Sequence, residues 1–145
     1  MYKKILCPID GSETSNRGML EAINLAKDQQ AELRFLHVID TFIPILDMTG
    51  DINLAYLTSV QLDNGEKLLK RALEAASKAG VPADSKLIET VGARVSGSVL
   101  NQAKEWSADL VVMGTHGLRG IERLVMGSDA EMVVRLSPVP VLLVK

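Results

Sequence analysis

Short apolar runs alternate with amphipathic segments along the chain, and this alternation constrains the fold more than any other feature of the sequence. Five runs are typical of strands, and they lie at residues 4–9, 33–39, 86–91, 110–113 and 139–144. Between them, apolar residues recur at helical spacing. Strands that alternate with helices predict a parallel sheet with helices on both faces.

The segments between the strands also carry helix start and stop signals. The first helix can begin at a cap formed by Ser12 or Thr14. Further helices are predicted over residues 57–79, 96–106 and 128–136. Residues 41–57 form a longer connection than is usual, and connections of this kind are typical of lids and partner surfaces.

Length and composition indicate one soluble domain over residues 1–145, with 47% hydrophobic and 23% charged residues. The apolar runs are too short to cross a bilayer, so we expect no membrane span. The first ten residues, MYKKILCPID, lack the apolar region of a signal peptide, and we expect a cytoplasmic protein. A net charge of -2 argues against nonspecific nucleic-acid binding, which needs a concentrated basic surface.

Cysteine and histidine are too scarce to predict a disulfide framework or a zinc site. Cys7 is the only cysteine and lies within an apolar strand pattern, so we expect a small core residue. The chain has two histidines, His37 and His116, which are far apart in the sequence. His37 falls within the second predicted strand, and we expect it to be a hydrogen-bonded core residue.

A glycine-rich segment, GTHGLRGIERLVMGS at residues 114–128, is the most informative motif for function. Glycine has no Cβ, so backbone amides can approach an anion closely. The segment directly follows the apolar run ADLVVMG, and therefore lies at the carboxyl end of a predicted strand. Open α/β sheets usually bind ligands there, and we expect the ligand to carry a phosphate.

Ser128 has two interpretations. The start of a helix favours a phosphate, because its amides lack partners and its dipole end is positive. Alternatively, Ser128 and Glu131 form the S-x-x-E pattern of a capping box, in which the serine hydroxyl serves its own helix. The added glycines at 114 and 117 favour the phosphate.

Two further polar residues belong to the same predicted sheet edge. Asp10 follows the first strand and could hold a ribose hydroxyl or help to coordinate magnesium, although Asp-Gly is also ordinary turn chemistry. His116 could contact a phosphate or carry a proton, or it could be a solvated loop residue. Arg119 and Arg123 could neutralise phosphate charge or be solvated.

Several familiar nucleotide-binding proteins are excluded by their motifs. The chain has no GxxxxGK[ST], and its glycines at 114, 117 and 120 do not follow the GxGxxG spacing of dinucleotide-binding proteins. A receiver domain would carry a phosphorylatable aspartate after the third strand, whereas this chain has Val91 and Gly92 there.

The chain resembles the universal stress proteins over nearly its full length. Its glycine segment matches the G-x2-G-x9-G-[ST] motif of their ATP-binding members as Gly114, Gly117, Gly127 and Ser128. The stretch from Pro8 to Ser12 and the terminal SPVPVLLV are also similar to that family. The predicted fold is accordingly α/β, a single doubly wound three-layer sandwich with a Rossmann-like five-stranded parallel sheet in the order 3-2-1-4-5.

The resemblance implies a bound ATP, with ADP or AMP as alternatives, and magnesium or manganese held through the phosphates. The adenine would lie near Pro8, Asp10 and Val38, the ribose near Asp10 and Gly114, and the phosphates on the amides of residues 117, 127 and 128. The complete set of expected nucleotide-binding residues is Pro8, Asp10, Val38, Met113, Gly114, His116, Gly117, Gly127, Ser128 and Asp129. The family also implies a homodimer formed through the last strand, residues 139–144.

We therefore predict a cytoplasmic ATP-binding stress-response protein that acts as a nucleotide-dependent switch or adaptor, with at most slow hydrolysis. One alternative is an ATP-using adenylyl-transfer or pyrophosphatase enzyme on a related fold, although the SGGxDS and HxGH signatures of such enzymes are absent. Another is a structural dimer that keeps its glycines only for turns. The sequence does not identify a stress or a protein partner.

Overall fold

A computed structural model describes residues 1–41, 53–116 and 126–145 of the chain. Strands and helices alternate as the sequence predicts. In chain order they are β1 (Lys4–Pro8), α1 (Glu13–Gln29), β2 (Glu32–Asp40), α2 (Leu54–Lys78), β3 (Ala83–Thr90), α3 (Val95–Glu105), β4 (Leu110–Gly114), α4 (Ser128–Leu136) and β5 (Val141–Val144).

The strands form one sheet in the order β3-β2-β1-β4-β5, which confirms the predicted order. Every neighbouring pair is parallel. In the register, Cys7 of β1 lies opposite Phe35 of β2, and Leu6 of β1 lies opposite Val111 of β4. The carboxyl ends of β1 and β4 are therefore neighbours, and the segments that follow them meet at one edge of the sheet.

Two apolar clusters, one on each face of the sheet, confirm the three-layer arrangement. Alternate residues of a strand point to opposite faces, so Ile5 and Cys7 contribute to one cluster and Leu6 to the other. The first cluster includes buried residues of α1 and α2, and the second includes buried residues of α3 and α4. Each helix pair thus covers one face.

Several element boundaries differ from those predicted. β3 begins at Ala83 rather than at residue 86, and Asp84 and Ser85, which follow Ala83, are polar and exposed because β3 is an edge strand. β5 begins at Val141 rather than at residue 139; Pro140, which precedes it, still accepts a hydrogen bond from Val111 through its carbonyl but has no amide to donate.

The long second helix begins at Leu54, three residues before its predicted start at residue 57. The side chain of Asn53 caps this helix by accepting a hydrogen bond from the amide of Tyr56. Much of the predicted 41–57 connection, residues 42–52, lies outside the described residues. Its proposed role as a lid or partner surface therefore stays a prediction.

Gly65 occupies the middle of α2, where glycine normally weakens a helix. The structure supplies a packing reason for it. A Cβ at this position would lie 2.8 Å from Cδ2 of His37 and 3.0 Å from Cδ1 of Leu87. His37 is half-buried, and its Nδ1 donates a 2.7 Å hydrogen bond to the carbonyl of Ile9, which confirms it as a hydrogen-bonded residue.

Cys7 is fully buried in the first apolar cluster, as predicted, and burial raises the pKa of its thiol from 9.0 to about 12. The Cys7 thiol therefore holds its proton more tightly in the folded protein than in the unfolded chain. This contribution to stability is fully present below pH 9.0, the unfolded value, and is lost as the pH rises towards about 12.

We expect Cys7 to react with a thiol reagent such as iodoacetamide only when the protein unfolds. The thiolate is the reactive form, and burial in the folded core both keeps the sulfur protonated and shields it from the reagent. Labelling followed by mass spectrometry, with and without urea, measures this directly. Rapid labelling without denaturant would contradict the buried position of β1.

No helix in the described ranges is both long and apolar enough to cross a membrane.

Candidate functional site

The segment after β1 is held in a tight turn that orients Asp10. Gly11 has a φ of 84°, in the left-handed region that favours glycine. Oδ1 of Asp10 accepts a 2.9 Å hydrogen bond from the amide of Ser12, and the Asp10 amide donates to Oγ of Ser15 at 3.0 Å. The turn interpretation of Asp10 is therefore correct, and the turn fixes its carboxylate at the carboxyl edge of the sheet.

Ser12 is the N-cap of α1, so the structure decides between the two predicted caps, Ser12 and Thr14. Its Oγ accepts the amide hydrogen of Ser15 at 3.3 Å, the usual geometry for an N-cap. Thr14 lies within the first turn and does not serve as the cap. Its hydroxyl bonds to another part of the chain instead.

Gly114, at the end of β4, is in close contact with the first turn of α1. A Cβ there would lie 2.7 Å from the carbonyl carbon of Thr14 and 2.8 Å from the amide nitrogen of Ser15. Gly18, one turn further along α1, has a hypothetical Cβ 3.2 Å from the amide of Gly114. The sequence explains Gly114 by close approach to an anion, whereas the structure shows that helix packing already requires glycine there.

His116 is connected to both α1 and β4. Its carbonyl accepts hydrogen bonds from Oγ1 of Thr14 at 2.6 Å and from Oγ of Ser12 at 3.4 Å. Nδ1 of the ring lies 2.8 Å from Oγ1 of Thr115. Nε2 is buried and has no hydrogen-bond partner among the described residues. His116 is thus held in place by these contacts, and the alternative of a freely solvated loop residue is wrong.

The start of α4 differs from the predicted capping box. Gly127 occupies the cap position, no side chain caps the helix, and Ser128 is its exposed first residue. The hydroxyl of Ser128 therefore does not serve as the cap of its own helix. The capping-box interpretation is wrong because the helix begins at Ser128, one residue earlier than S-x-x-E requires.

The amides at the start of α4 are not equivalent. The Gly127 amide donates a 2.8 Å hydrogen bond to the carbonyl of Thr115. The amides of the next three residues have no helical carbonyl to bond to, because the helix does not extend one turn further back. Two of these three amides belong to Ser128 and Asp129. Since the helix dipole is positive at this end, these amides form an electrostatically favourable position for an anion.

The carboxylate of Asp129 contacts a second helix. Its Oδ1 accepts a 2.9 Å hydrogen bond from the amide of Ser96, in the first turn of α3. The cap residue of α3, Arg94, makes no side-chain cap bond, so Asp129 satisfies one amide that the helix would otherwise leave open. Asp129 thereby joins the starts of α3 and α4.

Three predicted residues belong to the sheet itself. Pro8 is the last residue of β1 and is half-buried. Met113 is 8% exposed, and both Met113 and Val38 belong to the apolar cluster beneath α3 and α4. Any ligand that contacts these side chains therefore approaches on the α3 and α4 side of the sheet. Gly117, and with it Arg119 and Arg123, lies outside the described residues.

Sequence reasoning missed the polar residues that join these parts. Thr14, Ser15, Ser96 and Thr115 are small hydroxyl residues, of which Ser15, Ser96 and Thr115 are buried. Their positions directly after strands or in first helical turns were the available signal. Sequence spacing could not reveal their partners, because these lie as many as 102 positions away in the sequence.

A second polar cluster lies at the opposite, amino edge of the sheet. The Trp106 ring has the guanidinium of Arg34 4.6 Å from its centroid and Nζ of Lys4 5.4 Å away. Asp84 accepts hydrogen bonds from Arg34 and is the main cause of the raised pKa of that guanidinium. Because Arg34 is paired with Asp84 within the cluster, we interpret this cluster as structural.

Comparison with known proteins identifies similar chains. The model of the universal stress protein family matches residues 1–145. A universal stress protein of Methanocaldococcus jannaschii is 34% identical, and the alignment covers 100% of this chain and 83% of that protein. The universal stress protein YxiE of Bacillus subtilis is also 34% identical, with 100% of both chains covered.

Solved structures share the fold. Universal stress protein UspA from Lactobacillus plantarum has a TM-score of 0.84 at 23% identity, with 99% of this chain and 98% of that chain covered. A universal stress protein solved in complex with cAMP has a TM-score of 0.69 at 25% identity, with 99% and 96% covered. The first likeness bears on the fold, and the second is a similar protein with a bound nucleotide.

Proposed function

This chain belongs to the universal stress protein family, and we propose that it is a cytoplasmic, ATP-binding member that acts as a nucleotide-dependent switch or adaptor. The similar protein that holds cAMP supports the nucleotide class. ATP, rather than ADP or AMP, is proposed because the chain carries the complete G-x2-G-x9-G-S motif.

A chain of hydrogen bonds across the carboxyl edge of the sheet is the observation that carries this proposal. Ser12 bonds to Asp10 through its amide and to the His116 carbonyl through its hydroxyl. Thr115, next to His116, accepts the amide hydrogen of Gly127. These contacts join the segment after β1, the segment after β4 and the start of α4 at one edge of the sheet.

The proposed pocket assigns each part of ATP to a different element. The adenine lies against Pro8 and Val38 on the α3 and α4 side, close to Met113, and the ribose lies near Asp10 and Gly114. The phosphates take the amides of Ser128 and Asp129, the Nε2 of His116, and the segment that contains Gly117 and Gly127. The Ser128 hydroxyl assists these amides.

Nε2 of His116 is buried and has no partner among the described residues, so it fits an anionic ligand whose oxygen would satisfy it. Among the described residues, no three His, Cys, Asp or Glu side chains are grouped to hold a metal ion. We therefore propose that magnesium or manganese is held chiefly through phosphate oxygens, where it neutralises their charge.

Binding, rather than turnover, is the proposed activity. Hydrolysis needs a positioned water and stabilisation of the transferred phosphoryl group. We assign neither role to a side chain in the described part of the protein, and therefore propose at most slow hydrolysis. Rapid phosphate release that depends on Asp10 or His116 would contradict a switch.

We further propose that the protein forms a homodimer through β5. This strand is at the edge of the sheet and carries Leu142, which is 38% exposed. Unpaired edge strands readily pair with another chain. Pro140 lacks an amide donor, which limits which side of the strand can pair. A monomer in sedimentation equilibrium at micromolar concentration would contradict this arrangement.

The nucleotide proposal is tested on the purified native protein. We expect mass spectrometry of the material released by denaturation to identify an adenine nucleotide, and calorimetric titration of the emptied protein to show ATP binding. Gly117→Val and Ser128→Ala are expected to weaken binding while the melting temperature stays unchanged.

A structural dimer without a ligand is the second candidate, because packing alone accounts for Gly114. That candidate predicts no released nucleotide and no ATP binding at millimolar concentration. It also predicts that Gly117→Val and Ser128→Ala leave every binding measurement at its background value.

A further inference from the structure

Among the described residues, Thr14 forms the shortest hydrogen bond between α1 and the segment after β4. Its Oγ1 donates to the carbonyl of His116 at 2.6 Å, across 102 positions of sequence. Ser12 already caps α1, so the Thr14 hydroxyl is not needed to begin the helix. Its contact instead ties one half of the proposed pocket to the other.

The first turn of α1 provides a rigid support for this contact. Gly114 packs against the backbone of Thr14 and Ser15 so closely that a Cβ has no space. Ser15 is buried and accepts the amide hydrogen of Asp10. Movement of Thr14 relative to β4 would therefore disturb several contacts at once.

The ring of His116 is constrained separately from its backbone. Oγ1 of Thr115 lies 2.8 Å from Nδ1, and Thr115 is itself buried. When the Thr115 hydroxyl donates to Nδ1, the neutral ring carries its proton on Nε2. Nε2 is then a buried donor without a partner in the described part of the protein, which is costly unless a ligand supplies an acceptor.

From these contacts we infer that Thr14 is a positioning residue for phosphate recognition. Its hydroxyl holds the His116 peptide against α1, Thr115 holds the ring, and Nε2 is thereby placed to donate to a phosphate oxygen. This inference rests on the proposed function and adds to it a residue outside the glycine motif. Thr14 acts through His116 and does not itself contact the nucleotide.

Thr14→Val tests the inference because valine keeps the shape of threonine and removes the hydroxyl. We expect Thr14→Val to bind ATP roughly three- to tenfold more weakly, which is the usual effect of losing one hydrogen bond. Adenosine, which has no phosphate, should bind with unchanged affinity. Thr14→Ser retains the hydroxyl and should restore ATP binding. Calorimetric titration with both ligands measures these effects.

Thr90→Val is the matched control. The hydroxyl of Thr90 also donates to a carbonyl, that of Ile39. This bond joins β3 to β2, and β1 separates both strands from β4. This variant should bind ATP as the wild type does. If Thr14→Val proves too unstable to purify, Thr14→Ala and Thr14→Ser provide the same comparison.

A double variant tests whether Thr14 acts through His116. In the His116→Ala background, Thr14→Val should cause little further loss of ATP affinity, because the ring that it positions is gone. Equal weakening of ATP and adenosine by Thr14→Val would show a general structural role and overturn the inference, as would unchanged ATP binding. A wild-type protein that binds no ATP would overturn the proposed function itself.

Discussion

Gly114→Ala is expected to lower the free energy of unfolding by about 1–3 kcal/mol, the usual cost of an overpacked site. The new methyl group would lie 2.7 Å and 2.8 Å from backbone atoms of Thr14 and Ser15. Backbone atoms cannot rotate away as a flexible side chain can, so α1 must shift relative to β4. Urea denaturation followed by circular dichroism measures the change.

The shift should also disturb the proposed nucleotide pocket. The contacts that join Thr14 and Ser12 to His116 depend on the same approach of α1 to β4. We therefore expect Gly114→Ala to lose ATP affinity together with stability. Loss of affinity at full stability would instead indicate that Gly114 faces the ligand directly.

Gly97→Ala is the control for Gly114→Ala. Gly97 lies in α3, and a Cβ there meets no atom within 4 Å. Alanine is favoured over glycine within helices by about 1 kcal/mol, so this variant should be as stable as the wild type or more stable. If Gly114→Ala matched it in stability, the close contact between α1 and β4 would be contradicted.

Ser128→Asp is expected to weaken ATP binding at least about fivefold without loss of stability. A carboxylate at the first position of α4 lies at the positive end of the helix dipole, which should stabilise the folded protein by about 0.3–1 kcal/mol. The same carboxylate repels a triphosphate placed on these amides, by about 1–4 kcal/mol for two unit charges near 4 Å at the effective dielectric constants of water and of a protein surface. The variant therefore separates affinity from folding.

Ser128→Asn is the matched control for this charge, because it resembles aspartate in shape but is neutral. It should bind ATP much more tightly than Ser128→Asp does. The difference between the two variants should also shrink as salt is added, since screening weakens exposed charge interactions. Equal ATP affinity in the wild type and Ser128→Asp would place the phosphates away from α4.

The order and type of the elements followed from local patterns. Apolar runs and helical spacing predicted all five strands, and the observed sheet has the predicted order. The boundaries were less well predicted. β3 extends to Ala83 because backbone pairing with β2 continues through polar, exposed residues, and hydrophobic patterning cannot show such pairing.

The candidate site was predicted in part. The positions of Asp10 and His116 at one sheet edge followed from the strands that precede them, because the carboxyl ends of parallel strands meet there. Of the two interpretations of Ser128, the capping box is wrong. The sequence S-x-x-E matches the capping pattern, but the cap of the helix is Gly127. A pattern of residue types does not determine the backbone angles at a helix start.

The glycines of the segment at residues 114–128 show most clearly what the sequence determines and what only the tertiary structure decides. The sequence by itself determined that Gly114 lies at the end of strand β4 and Gly127 at the start of helix α4, because hydrophobic periodicity and turn residues act locally. Only the tertiary structure decided what each one does. Gly114 admits the backbone of α1, and the Gly127 amide bonds to Thr115. Both roles depend on atoms brought together by packing between elements, which local patterns do not record.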